Sequence, residues 1–185
     1  MTGSGTEADP YVITTVADLQ DMQNDLAAYY ELGQDIDASA TTGWNAGAGF
    51  VPVGDWLTPF AGHFNGKRYT IRSLYINRPT TDYVGLFGRL TGSALNVNIE
   101  GCDITGQQYV GALAGMLSQP TNYAVQNVTV SGTITATGSY CGGIIGDVYE
   151  AITTDFLVNC SNSADVTGVN YVGGIAGNVR LGTTD

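Results

Sequence analysis

Basic residues are scarce in this chain. Among 185 residues there are 6 Lys and Arg against 17 Asp and Glu, with one His, for a net charge of −11. A phosphate backbone or an anionic bilayer surface calls for a basic patch, so this balance argues against nucleic acid and against a charged membrane face. Charge of either sign is thin, 12% of residues, so the surface must be polar through Thr, Ser, Asn, Gln and Tyr. No run of about 18 apolar residues occurs, so no membrane insertion by a helix is expected. The opening MTGSGTEADPYVI lacks the basic and apolar regions of a secretory signal. Either a signal has been removed or the protein reaches the outside another way, for example by release within a phage particle. The three cysteines fit no zinc-ligand spacing. Cys102, Cys141 and Cys160 each fall in the phase of buried apolar neighbours and read as small hydrophobes. No G-x-S-x-G, H-E-x-x-H, phosphate-loop or EF-hand pattern is present.

What the chain does have is a motif repeated against itself. YVGLFG starts at Tyr83, YVGALAG at Tyr109, YCGGIIG at Tyr140 and YVGGIAG at Tyr171, the tyrosines lying 26, 31 and 31 residues apart. A period of that size marks a repeat architecture in which each unit buries its apolar face against its neighbours. Between the motifs the pattern alternates. Val128, Val130 and Ile134 share one phase, as do Phe156, Val158, Cys160, Ala164 and Val166, with Thr, Ser and Asp between them. The phase slips near Glu100-Gly101, as expected for a bulge or a corner. Superposed units give columns: the four tyrosines, then Thr105, Thr135 and Thr167, then Asp103, Thr133 and Asp165. Stacked parallel strands would set like residues about 4.8 Å apart.

The N-terminal part differs. Thr15 and Asp18 form a capping-box-like pair, and Val16, Leu19, Met22 and Leu26 make one stripe at helical spacing. We expect a helix from Val16 to about Ala28, covering the open end of the core and masking the first strand edge. A strand is expected around Tyr30 to Ile36 and a turn at Asn65-Gly66. The fold class is therefore all-β: a parallel β-solenoid of about five coils with an N-terminal capping α-helix. Residues 1–82 form the capping module with the first coils, and residues 83–185 form the repeats.

These segments resemble the GLUG-motif repeat proteins of bacterial surface adhesins, of accessory regions in some secreted proteases, and of phage particles. YVGGIAG followed by a strand such as VNCSNSADVTG carries the motif. GSGTEADPYVI, the DLQ helix, YYELGQDIDAS and FAGHFNGKRYTIRSLYI resemble the module that opens such proteins. The resemblance implies the fold more than an activity, because the motif is structural wherever it occurs. No C-terminal cap is evident, and an open coil is an edge that invites pairing.

Candidate chemistry is sparse. Asp35 and Asp37 lie two apart on an expected strand and could share a face for acid/base work or for calcium; the alternative is acidic decoration of an edge coil. His63 sits in a turn region with no nucleophile motif to activate. Tyr83, Tyr109, Tyr140 and Tyr171 either stack on one another and shield a corner or offer aromatic faces to a sugar polymer. The Thr column resembles a short ice-binding array, interrupted by Asp103 and Asp165. Asn127-Val128-Thr129 and Asn159-Cys160-Ser161 match the N-glycosylation acceptor pattern and are read as accidental.

The expected function is a non-enzymatic structural or adhesive module, extracellular, on a cell surface or on a virion, without a cofactor. Its partner would be a polysaccharide or protein ligand, or neighbouring copies through the open C-terminal coil. A self-assembling filament subunit and a polysaccharide-binding or -degrading β-helix domain stand as alternatives. On this reading Val172 points inward, and Val172→Asp should unfold the last coils.

Overall fold

The computed structural model describes residues 1–120, 124–151 and 155–182. The chain winds as a parallel β-solenoid of about five turns. The opening coils contain β1 (Tyr11–Ile13), α1 (Val16–Asp21), β2 (Tyr29–Leu32) and β3 (Ile36–Asp37). The next contains β4 (His63–Asn65), β5 (Thr70–Arg72), β6 (Tyr75–Asn77) and β7 (Phe87–Leu90). Two longer coils follow, with β8 (Ser93–Gly106) and β9 (Ala114–Ser118), then β10 (Val125–Ala136), β11 (Ser139–Gly142) and β12 (Ile145–Ala151). The last coil holds β13 (Leu157–Val158), β14 (Ser161–Asn162), β15 (Asp165–Thr167), β16 (Asn170–Gly173) and β17 (Ala176–Leu181).

Strand pairing between these coils is parallel. One face runs β1-β2-β4-β8-β10-β13, the opposite face runs β7-β9-β12-β17, and a narrow edge is made by β11 and β16. Because register is kept from coil to coil, like residues stack. Ile36, Ile71, Ile99 and Val130 form one interior column, and Ile76, Ile104, Ile134 and Val166 another. Phe87, Ala114, Ile145 and Ala176 form a third on the opposite face. Deleting one such side chain to Ala would cost about 2–5 kcal/mol, through lost transfer energy and the cavity left behind. The expected bulge is present: between Ile99 and Cys102 β8 has two residues where β10 has one, and Gly101 takes up φ 62°.

The helix is shorter than its apolar stripe. It ends at Asp21 and tightens into a 3₁₀ turn over Met22–Asn24. Asp25 is extended, and the Leu26 and Ala28 carbonyls accept amides of Ala61, Gly62 and His63 from the next coil. Those carbonyls could not serve the ladder and the helix together, so the ladder ends the helix. The stripe still faces inward: Leu19 and Met22 are buried, and Val16 and Leu26 pack against the core. The cap forms as expected, with Asp18 N donating to Thr15 Oγ1 at 3.0 Å and Thr15 N donating to Asp18 Oδ2 at 3.0 Å. The edge of β1 is met by Thr2, whose carbonyl accepts the Val12 amide, rather than by the helix.

The turn expected at Asn65-Gly66 forms as a corner of the solenoid, where the Tyr69 amide donates to the Gly66 carbonyl between strands that pair in parallel. Two further expectations change. The strand proposed for residues 30–36 is cut by a corner at residues 33–35, so Asp35 precedes β3 and does not share a strand with Asp37. Val172 continues the Val84–Val110–Cys141 column but is 45% exposed, whereas Val110 is 0% exposed. An inward phase does not bury a residue in a coil with no coil described beyond it. Residues 183–185 lie outside the described residues.

Candidate functional site: the outward columns and the groove beside them

The tyrosines of the repeated motif occupy the corner before the opposite face. Their backbone is left-handed, with φ of 61°, 56°, 65° and 54° at Tyr83, Tyr109, Tyr140 and Tyr171. That conformation costs a bulky L-residue about 1–2 kcal/mol. The following glycines have ordinary φ and serve close approach instead. A Cβ on Gly142 would lie 2.0 Å from the Ile145 carbonyl oxygen, and one on Gly173 2.0 Å from that of Ala176. The rings stack at 4.7, 4.8 and 4.8 Å with interplanar angles of 3°, 3° and 4°. Each stack is worth about 0.5–1.5 kcal/mol, so an interior ring with two neighbours offsets its backbone strain.

Trp56 extends the column beyond Tyr83 at 5.6 Å. Arg89 lies 4.4 Å over the Trp56 ring and donates to Ser118 Oγ and the Trp56 carbonyl. At the other end Arg180 lies 4.7 Å over Tyr149 and pairs with the fully buried Asp147, which also accepts from Asn178 Nδ2. Burial raises the Tyr83 and Tyr109 phenols above their ordinary range. The stacking reading of the column therefore describes the geometry. The rings occupy each other's faces, and along the rod they offer edges and hydroxyls. Tyr171, 58% exposed, keeps one free face.

A second column was missed. Asn96 Nδ2 donates to Asn65 Oδ1 at 3.1 Å, Asn127 Nδ2 to Asn96 Oδ1 at 2.7 Å, and Asn159 Nδ2 to Asn127 Oδ1 at 3.2 Å. Asn96, Asn127 and Asn159 are also left-handed. The signal was in the sequence, as asparagines 31, 31 and 32 residues apart, and two of them lie in the glycosylation-like triplets. The Thr105–Thr135–Thr167 and Asp103–Thr133–Asp165 columns form as expected, headed by Asn77 and Tyr75.

The candidate metal pair is engaged elsewhere. Asp35 accepts Arg72 Nη1 at 2.8 Å and the Thr70 amide at 2.9 Å, and the Arg72 hydrogen bond leads in lowering its carboxyl. Asp37 accepts the Ser39 amide, which lowers it too. Arg72 also reaches Glu100 at 3.3 Å. Burial pushes the Cys102 thiol to about 12 and Cys141 to about 11, so both remain protonated, as small apolar groups do. Asp82 Oδ1 is the one buried side-chain oxygen without a partner among the described residues.

His63 is not isolated. Its ring stacks on Tyr29 at 4.4 Å, and its Nδ1 lies 2.8 Å from Ser93 Oγ. The three residues share one register across β2, β4 and β8, while Glu31 and Asn65 share the register two residues on. Between these rows runs a groove of about 360 Å³, with Glu7 at its wall. Polar grooves of the same rod lie along Asn98, Thr129 and Ser161.

No family model matches the chain. It is 41% identical over 155 residues to halomucin of Haloquadratum walsbyi, covering 78% of this chain and 2% of that protein. It is 39% identical over 136 residues to a "Putative Gly-rich membrane protein" of Evansella cellulosilytica, covering 69% of this chain and 15% of that one. The chain thus spans a small fraction of the curated relatives it matches. Among solved structures it is similar to the crystal structure of a "putative immunoglobulin A1 protease" from Bacteroides ovatus. That match has a TM-score of 0.72 and 20% identity, over 97% of this chain and 64% of that one. At that identity the likeness concerns the fold.

Proposed function

We propose that this chain is a non-enzymatic, surface-associated solenoid module that presents a rigid, repetitive face to ligands outside the cell, either at a cell surface or on a virion. The observation that carries this reading is the stacking of neutral polar side chains in register along one face. Asn65 to Asn159, Asn77 to Thr167, and the Asn98–Thr129–Ser161 row repeat once per coil. Such rows set many weak contacts at fixed spacing, and contacts of that kind sum through avidity when a polymer binds several at once. Similarity to a protein named halomucin and to one named as a membrane protein supports the surface location. The Tyr-Val-Gly segments are the GLUG-type element of this reading.

A second reading is a self-assembling subunit, favoured by the parallel ladder that repeats in register from coil to coil and that the coils of a further copy could continue. Light scattering of the purified chain, with electron microscopy of the same sample, separates the two. A discrete small particle that adsorbs to extracellular polysaccharide without shortening it fits display. Filaments growing with concentration would replace display with self-assembly, and new reducing ends from the polysaccharide would replace both with an enzyme.

A further inference from the structure

The geometry points to the groove between β2, β4 and β8 as a binding site for an amine-bearing sugar unit of a polysaccharide. This deepens the display reading and rests on it. One wall is the Tyr29–His63–Ser93 row and the other the Glu31–Asn65 row, with Glu7 beside them. The volume of about 360 Å³ falls within the range of about 300–1,000 Å³ that takes small ligands.

Several polar groups that line this groove have no partner among the described residues. Asn65 is the first rung of the asparagine ladder: its Oδ1 accepts from Asn96 and from the Lys67 amide, but its Nδ2 has no acceptor among the described residues. The Glu7 carboxylate has no hydrogen bond or ion pair there, nor do the Tyr29 hydroxyl and His63 Nε2. In the neighbouring row the Thr129 hydroxyl donates to Asn98 Oδ1. An amide N–H, a hydroxyl and an imidazole nitrogen converging beside stacked rings match the hydroxyls and the C–H face of a sugar.

Charge selects among sugars. The groove carries two carboxylates, and the nearby cation, Lys67, is paired with Glu31 at 3.1 Å. In a chain of net charge −11 an anionic sugar is repelled and an ammonium is attracted. The ammonium would lie between Glu7 and Glu31 and the ring against Tyr29 and His63, where aromatic faces or edges add cation–π and stacking energy. A lysine side chain would satisfy the carboxylates but supply nothing for Asn65 Nδ2 or the Tyr29 hydroxyl.

The test is calorimetric titration of the intact chain with three probes: the glucosamine tetramer, the N-acetylglucosamine tetramer and tetralysine. The expected result is at least about tenfold preference for the glucosamine tetramer over the other two. The double variant Glu7→Gln, Glu31→Gln keeps the shape of both side chains, and it should abolish that preference while circular dichroism stays unchanged. Tyr29→Ala should weaken both sugar tetramers. Equal binding of the two sugar tetramers, equal or tighter binding of tetralysine, survival of the preference in the double variant, or no binding of any probe would each overturn the proposal. These outcomes leave the particle mass untouched, so they are distinguishable from failure of the display reading.

Discussion

Residues 1–82 and residues 83–182 solve the same problem in different ways. In the first region the interior column is already kept, as Ile36 on Ile71 shows, but polar contacts that join its coils are made once. Gln20 bridges the Val51 amide and carbonyl, both at 2.9 Å; Asp35 holds Arg72; and Glu31 holds Lys67. In the second, one coil's contacts are its neighbour's contacts translated, in the tyrosine stack, the asparagine ladder and the interior valines. The difference teaches where each region is strong. A translated contact is worth most in the middle of the stack and least at its end, because an end residue has one neighbour instead of two. A contact made once is worth the same wherever it lies, but it is exposed to pH and salt when it is ionic.

The largest expected effect breaks the comparison within one column. Val110→Asp would place an unpaired charge at a fully buried position between Val84 and Cys141. We expect a loss of about 4 kcal/mol or more, seen as a collapse of the urea midpoint or as failure to fold. Val172→Asp, at the end of the same column, should cost about 1 kcal/mol or less. Equal losses at the two sites would mean that the last coil is as well packed as the middle.

Next come the tyrosines. Tyr109→Ala removes two ring stacks and should cost about 2–3 kcal/mol, while Tyr171→Ala removes one and should cost about 1 kcal/mol. Because the backbone here is left-handed, Tyr109→Gly should be more stable than Tyr109→Ala by about 1 kcal/mol, measured by the same denaturation. An alanine variant as stable as the glycine variant would remove backbone strain from the account.

The capping module should show its own sensitivity to acid. Partial burial alone would raise Asp18, but hydrogen bonds from Thr14, the N-terminal ammonium and Thr15 outweigh it and hold the carboxyl at about 2, below its ordinary 3.8. A group depressed on folding stabilises above its unfolded value and loses that stabilisation as pH falls through the folded one. Stability of the N-terminal coils should therefore decline between about pH 4 and pH 2, by about 1 kcal/mol or less because solvent screens these surface contacts, and Asp18→Asn should flatten that decline. Hydrogen exchange at the Val12 and Leu19 amides reads it locally. An unchanged acid profile in the variant would reject the cap as the cause.

The smallest effect concerns thiol access. Cys102 and Cys141 are buried in middle coils and Cys160 is half-buried in the last. A thiol reagent should label Cys160 first and the other two only after unfolding. Labelling at one common rate would mean that the coils open together.

Much of the architecture was legible beforehand because a repeat declares itself. The tyrosine spacing set the coil length, the alternation of Val128, Val130 and Ile134 set the inward phase, and the misfit at Glu100-Gly101 marked the bulge. The site was less legible. The asparagine ladder was visible as spacing, yet Asn127 and Asn159 also fit an unrelated triplet, and nothing local says that an amide bonds its own image one coil away. The helix boundary was hidden for a similar reason, since the carbonyls of Leu26 and Ala28 are claimed by residues of the next coil.

By itself, then, the sequence determined the period, the phase of the interior and the acidic, neutral-polar surface, because these follow from side-chain chemistry repeated along one chain. Tertiary structure alone decided which repeated residues are supported on both sides. Val110 and Val172 are equivalent in pattern, but one lies between coils and the other on the end coil. The same superposition brought Tyr29, His63 and Ser93 into one row from three separate segments, and so made a groove that no segment contains.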